Sequence, residues 1–163
     1  CGEQWKDNVY ELNRLAMVDG HDKDLASYFV ANSMKLMPKP SIIVSYADTS
    51  MGHVGYVYQA TNFIYTGLSA QRNEWREIGK NTHSKSVVEM YSLEERQSNP
   101  DRFEHVERPQ KHRYIYFLGS KKEVKQLNKD LNYEVQPYPK GESKKYKNDK
   151  EVAQQMTFIV AEG

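Results

Sequence analysis

Residues 40–67 read PSIIVSYADTSMGHVGYVYQATNFIYTG, and their pattern decides the fold class. SIIVSYA is a short continuous apolar run, as expected of a strand buried on both faces of a sheet. The residues after it predict a helix over about 51–62, although Gly52 and Gly55 each cost about 1 kcal/mol inside a helix. A strand resumes at 63–66. Upstream, VYELNRLAMV (9–18) alternates well enough to form another strand, and DGHDKD supplies turn chemistry and N-cap acids. Leu25, Tyr28, Phe29, Met34, Leu36 and Met37 then approximate helical spacing until Pro38 and Pro40 end the element. Strand, helix and strand make a βαβ unit, whose ligand belongs at the carboxyl ends of the strands. That places Tyr46 and Asp48 at the functional end.

Downstream, residues 69–110 are polar, weakly periodic and mixed in charge, and read as an insertion with one short helix over 86–97. KHRYIYFLG (111–119) is the next strand, with Tyr114, Tyr116 and Leu118 alternating with Arg113, Ile115 and Phe117. In SKKEVKQLNKDLNY (120–133), Val124, Leu127 and Leu131 have helical spacing, and Ser120 with Glu123 forms a capping box. VQPYPKG (135–141) closes the core, and the lysine-rich stretch 142–163 is expected to be a mobile tail.

With 163 residues and 38% hydrophobic content, the chain can bury one core, so one domain is expected. Twelve tyrosines in an aromatic fraction of 12% exclude a simply disordered chain. The single cysteine, Cys1, can form neither an internal disulfide nor a thiolate metal cluster. A start at Cys-Gly rather than Met leads us to expect that residues precede Cys1. There is no bilayer-length apolar run and no charged-then-apolar leader, so a cytoplasmic location is expected. Charge is uneven. Residues 111–150 hold 11 Lys/Arg against 5 Asp/Glu, or +6, whereas residues 1–110 hold 12 against 15, or −3. A basic C-terminal third suits phosphate, although a solvated lysine-rich face has the same composition.

Asp48 and His53 fall just after a strand, where a carboxylate can orient an imidazole for general-base work. Tyr46, Tyr58 and Tyr65 can each donate a proton or bind an acceptor. Arg14, Lys111, His112 and Arg113 can meet phosphate, and tyrosines of HRYIY, Tyr114 among them, can stack on an exposed base. His21, His83, His105 and His112 show no metal-ligand spacing, so no metal site is expected. Gly52 and Gly55 are not in the register of a nucleotide-binding loop.

Several stretches together carry a more specific signal: ELNRL (11–15), SYFVANSMKLM (27–37), PSIIVSYAD (40–48), GHVGYVYQATNFIYTG (52–67), KHRYIYFLG (111–119) and VQPYPKG (135–141). In this order, over residues 10–141, they resemble the bacteriophage Mom family. Members of that family resemble GCN5-related N-acetyltransferases and convert adenine in DNA to a methylcarbamoyl-modified form that shields phage DNA from restriction. The resemblance implies an α/β fold with a mixed central sheet flanked by helices, in a Mom-type domain over 1–141. It also implies acetyl-CoA or a related acyl donor entering where the strands 9–18 and 41–46 splay, with Leu15, Met17, Val18, Ser27 and Asn62 as its contacts. The loop DGHDKDLAS carries no Gln/Arg-x-x-Gly-x-Gly/Ala pattern, which points to altered contacts or a different donor.

On the acceptor side, the resemblance implies that adenine is met flipped out or single-stranded, at a cost of a few kcal/mol. Tyr46, Asp48, His53 and Tyr65 lead as site residues, Glu11 and Arg14 follow, and Lys111, His112, Arg113 and Tyr114 meet the nucleic acid. In this scheme Asp48 accepts a hydrogen bond from the N6 amine and His53 removes its proton. Two rival readings stay open: an N-acetyltransferase acting on a small amine or protein, and a non-catalytic DNA-binding protein.

Overall fold

The central strand β2 (Ser41–Asp48) carries the apolar run, and it has a neighbour on each side. β1 (Val9–Leu12) pairs with it in parallel, and β6 (Lys111–Leu118) pairs with it antiparallel along all eight residues. β3 (Ile64–Leu68) completes a mixed sheet in the order β1-β2-β6-β3. The computed structural model describes residues 1–18, 20 and 22–141. The stretch 142–163, expected to be a mobile tail, lies outside them, as do Asp19 and His21 of the loop before the first helix.

Helices cover both faces of the sheet over the first part of β2, which is why Ile42, Ile43 and Val44 are all apolar. Helix α1 (Leu25–Lys35) sets Val30 and Met34 against Ile43, Ala47, Phe63, Tyr65 and Tyr114 on one side. Helix α5 (Lys121–Lys129) sets Leu127 against Ile42, Ile115 and Phe117 on the other. Phe63 and Leu127 have no exposed surface, and full burial of such a side chain contributes about 1.5–3 kcal/mol. The α1-side core includes a cluster of aromatic rings. Tyr58 packs on Phe63 and Tyr114, and Tyr65 packs on Tyr114, with ring centroids 5.2–5.4 Å apart, so Tyr58 is a packing residue.

Several expected elements are shorter or divided. The strand expected over 9–18 ends at Leu12, where the Ser45 hydroxyl donates to the Leu12 carbonyl at 2.8 Å, and residues 13–18 leave the sheet. The helix expected over 51–62 is reduced to α2 (Tyr56–Ala60), because Gly52 closes a 3-10 turn at Thr49–Met51 and Gly55 caps α2, both with left-handed backbone. At Gly55 (φ +75°) a Cβ would come within 2.6 Å of the Tyr114 ring, so close packing as well as the turn requires glycine there. The capping box at Ser120 and Glu123 forms as expected. Residues 135–141 run along the open edge of β3, with the Gln136 amide donating to the Tyr65 carbonyl at 2.9 Å and the Tyr138 hydroxyl to that of Phe63 at 2.7 Å.

Residues 69–110 form an arm with its own small core. The β3–β6 hairpin continues into it, since the Ser69 amide donates to the Lys111 carbonyl at 2.8 Å. Beyond that link, β4 (Arg72–Glu77) pairs antiparallel with β5 (Phe103–Arg108). The helix expected over 86–97 is two, α3 (Ser84–Met90) and α4 (Leu93–Ser98), divided where Ser92 opens a capping box with Glu95. Val87 and Phe103 are buried between them and the strands. No helix among the described residues is long and apolar enough to cross a membrane.

Candidate functional site

Side chains alternate across a strand, so register assigns each candidate to a face. Tyr46 and Asp48 on β2 stand opposite Arg113 and Lys111 on β6, on the α5 side of the sheet. Ala47 stands opposite His112, which shares the α1 side with Tyr114. Towards the carboxyl end of β2 the α5 side changes from apolar to cationic. There a groove of about 430 Å³ is lined by Glu11, Tyr46, Arg72, Arg108, Lys111, Arg113 and Tyr133, with Ser69, Ala70 and Pro109 completing its wall. A smaller cavity of about 260 Å³, running towards Trp5, Val9 and Val44, shares Tyr46, Arg113 and Tyr133 with it.

Arg113 is fixed in place. Its Nε donates to Thr66 Oγ1 and its Nη2 to the Thr66 carbonyl, each at 2.9 Å. Its guanidinium lies 3.5 Å from the centre of the Tyr133 ring, a cation–π contact worth about 0.5–1 kcal/mol where exposed. A planar cation held this way keeps a constant orientation towards an anion.

Asp48 and His53 do not form the expected pair. The Asp48 carboxylate accepts from the Ser50 amide at 2.9 Å and the Ser50 hydroxyl at 2.6 Å, and Lys111 Nζ lies 3.7 Å away. Those Ser50 bonds, with help from Lys111, hold its carboxyl below the usual aspartate range, which suits an ionised anchor and not a proton acceptor. His53 meets Asp48 only through the backbone, its amide donating to the Asp48 carbonyl at 3.1 Å, and its side chain is exposed. The 3-10 turn closed by Gly52 aims the carboxylate back at Ser50.

On the α1 side, the Tyr65 hydroxyl and His112 Nδ1 share a hydrogen bond of 2.8 Å. Burial lowers the His112 imidazole and raises the Tyr65 phenol from their ordinary ranges, so the pair is neutral near pH 7. His112 is therefore the partner of Tyr65 and lines no part of the groove, contrary to its expected role on nucleic acid. Tyr114 also fails that role. It has no exposed surface, its hydroxyl donates to the Val54 carbonyl and accepts from Gln59 Nε2, and burial pushes its pKa up to about 12. A base cannot stack on it.

The expected donor contacts do not gather. Leu15 packs on the α1-side core, Met17 is half-buried, and Val18 is 79% exposed. The Ser27 hydroxyl donates to the Asp24 carbonyl at 2.9 Å, and Asn62 turns the chain between α2 and β3 with a φ of 60°. With Asp24 at the start of α1, these residues do not fit a diphosphate, which needs free donors and positive charge. Arg14 lies beyond the end of β1 and lines neither cavity, whereas Glu11 lines the groove. Arg72, Arg108 and Tyr133 are groove residues that sequence reasoning missed. Only the charge of the 69–110 stretch hinted at the two arginines.

The chain matches the Mom protein family over residues 2–140. It is 33% identical over 140 residues to the methylcarbamoylase Mom of Escherichia phage Mu, an alignment covering 80% of this chain and 56% of that relative. The chain thus spans about half the length of the curated relative it matches.

Proposed function

The chain belongs to the Mom protein family, and from that premise we propose that it is a phage DNA-modification enzyme transferring a methylcarbamoyl-type, acyl-derived group to the N6 amine of adenine, which protects the DNA from restriction in the cytoplasm of the host. The observation that carries this reading is the register pair Tyr46–Arg113 at the head of a groove lined by four Arg and Lys side chains. Cations supply the salt-dependent attraction to phosphate that dominates DNA affinity. Tyr46, 38% exposed, and Tyr133, 46% exposed, supply aromatic faces for an extruded base.

Glu11 is the one carboxylate lining that groove, and it takes the role that the sequence suggested for His53. It would accept the proton released from N6 when that nitrogen takes up the transferred group. Asp48 acts through Lys111 as a positioning residue. The β1-α1-β2 unit followed by antiparallel β6 supports a fold of the GCN5-related N-acetyltransferase type. A donor related to acetyl-CoA would have to carry the methylcarbamoyl-type group itself, since acetyl-CoA supplies only an acetyl group.

Nucleoside mass spectrometry of plasmid DNA from cells expressing the protein tests this directly. A modified adenosine is the expected result. An unaltered adenosine profile overturns the proposal: salt-dependent DNA binding without product then leaves the DNA-binding reading, and acyl transfer to a small amine or protein leaves the acetyltransferase reading.

A further inference from the structure

Arg72 and Arg108 stand directly opposite each other in the antiparallel β4–β5 pair, an arrangement in which like charges repel. Their repulsion is poorly relieved. Glu74 Oε2 lies 3.7 Å from Arg108, but the same carboxylate holds Arg76 at 2.8 Å, and among the described residues no acidic side chain forms an ion pair with Arg72. Both arginines line the groove that holds Lys111 and Arg113. The link from Ser69 to Lys111 joins the base of the arm to the main sheet, and the bond from Gln71 Nε2 to the Arg108 carbonyl at 3.0 Å ties the two strands of the arm together there. The four cations therefore follow one continuous hairpin, from Arg113 and Lys111 on β6 to Arg108 on β5 and Arg72 across from it. A row of this kind fits successive phosphates of a backbone better than one small anion.

We propose that the Arg72–Arg108 pair is a phosphate clamp for the nucleic-acid backbone, so that the arm sets where DNA enters the groove. This rests on the DNA reading given above. In the complex, the phosphates relieve the repulsion that the free protein carries.

The test is binding of a fluorescein-labelled DNA duplex by the purified protein as chloride concentration is raised. Each phosphate contact contributes about 0.9 to the slope of log affinity against log salt, so the R72Q/R108Q variant should lose about 1.8 from it. R72K/R108K, which keeps both charges, should retain the slope, and Lys85→Gln on α3 should leave it unchanged. Thermal unfolding should show R72Q/R108Q at least as stable as the wild type, because a repulsion has been removed. Wild-type binding with an unchanged slope in R72Q/R108Q overturns the clamp and leaves the DNA reading standing. Absence of salt-dependent binding by the wild type sinks both. Displacement of DNA by inorganic phosphate well beyond that by chloride at equal ionic strength overturns the clamp in favour of a single-anion site.

Discussion

Tyr65 and His112 are joined by a 2.8 Å hydrogen bond on the side of the sheet away from the groove. The sheet separates this pair from Tyr46, Asp48, Lys111 and Arg113, so three leading site candidates and three nucleic-acid candidates are divided between faces by register alone. The burial of the Tyr65 pair bears on folding stability. Burial holds the His112 pKa below the ordinary 6.5, and the unfolded chain therefore binds a proton that the folded chain resists. The stability linked to His112 is present above pH 6.5 and is lost as pH falls through the lower folded value. The unfolding midpoint should drop between pH 7 and pH 5, and His112→Gln should flatten that drop. Parallel pH profiles for variant and wild type would remove His112 from the account.

The bonds of Asp48 give a second expectation. Asp48→Asn keeps an acceptor for Ser50 but loses the charge that faces Lys111, so adenine modification should fall by roughly tenfold, the equivalent of about 1.4 kcal/mol. His53→Ala, which removes an exposed ring with no side-chain bond to Asp48, should keep most of its activity. Nucleoside mass spectrometry of plasmid from each variant measures both. A null His53→Ala variant beside an active Asp48→Asn variant would restore the histidine as the base.

Gly55 and Gly79 share a φ of +75°, but a Cβ at Gly55 meets the Tyr114 ring at 2.6 Å, whereas nothing lies within 4 Å at Gly79. Both alanine variants bear the backbone strain, and only Gly55→Ala adds overpacking, at about 1–3 kcal/mol. Urea unfolding should therefore show Gly55→Ala less stable than Gly79→Ala by about that amount. Equal losses would mean that the aromatic core gives way freely.

Much of this was legible in the chain, because local pattern and local chemistry agree. The β6 alternation divides Tyr114, Tyr116 and Leu118 from Ile115 and Phe117, which is how the two cores divide them. Ser120 and Glu123 announce their helix. What could not be read depends on partners distant in sequence. Strand β1 stops at Leu12 in part because Ser45, 33 residues on, bonds its carbonyl. His112 looks like a phosphate contact until β3 and β6 pair, and Arg72 meets Arg108 only once the arm has folded. Asp48 and His53 are close in sequence, yet the left-handed Gly52 between them prevents the pairing their spacing suggests.

Glu11 separates catalysis from binding most cleanly. It lies on β1 in register with Val44, on the same face as Tyr46, and is the sole carboxylate among the residues lining a cationic groove. In such a groove an acid weakens DNA binding, so its presence there needs a chemical reason. If Glu11 accepts the N6 proton, Glu11→Gln should lower adenine modification by roughly 10²–10⁴-fold. The same variant should bind duplex DNA as tightly as the wild type or more tightly, because a negative charge near the phosphates is gone. Glu11→Asp, which keeps the charge on a shorter arm, should recover part of the activity. A single set of samples, read by mass spectrometry for product and by anisotropy for binding, distinguishes the cases. Loss of product together with loss of binding would make Glu11 a structural residue, and full product from Glu11→Gln would send the search for the base elsewhere in the groove.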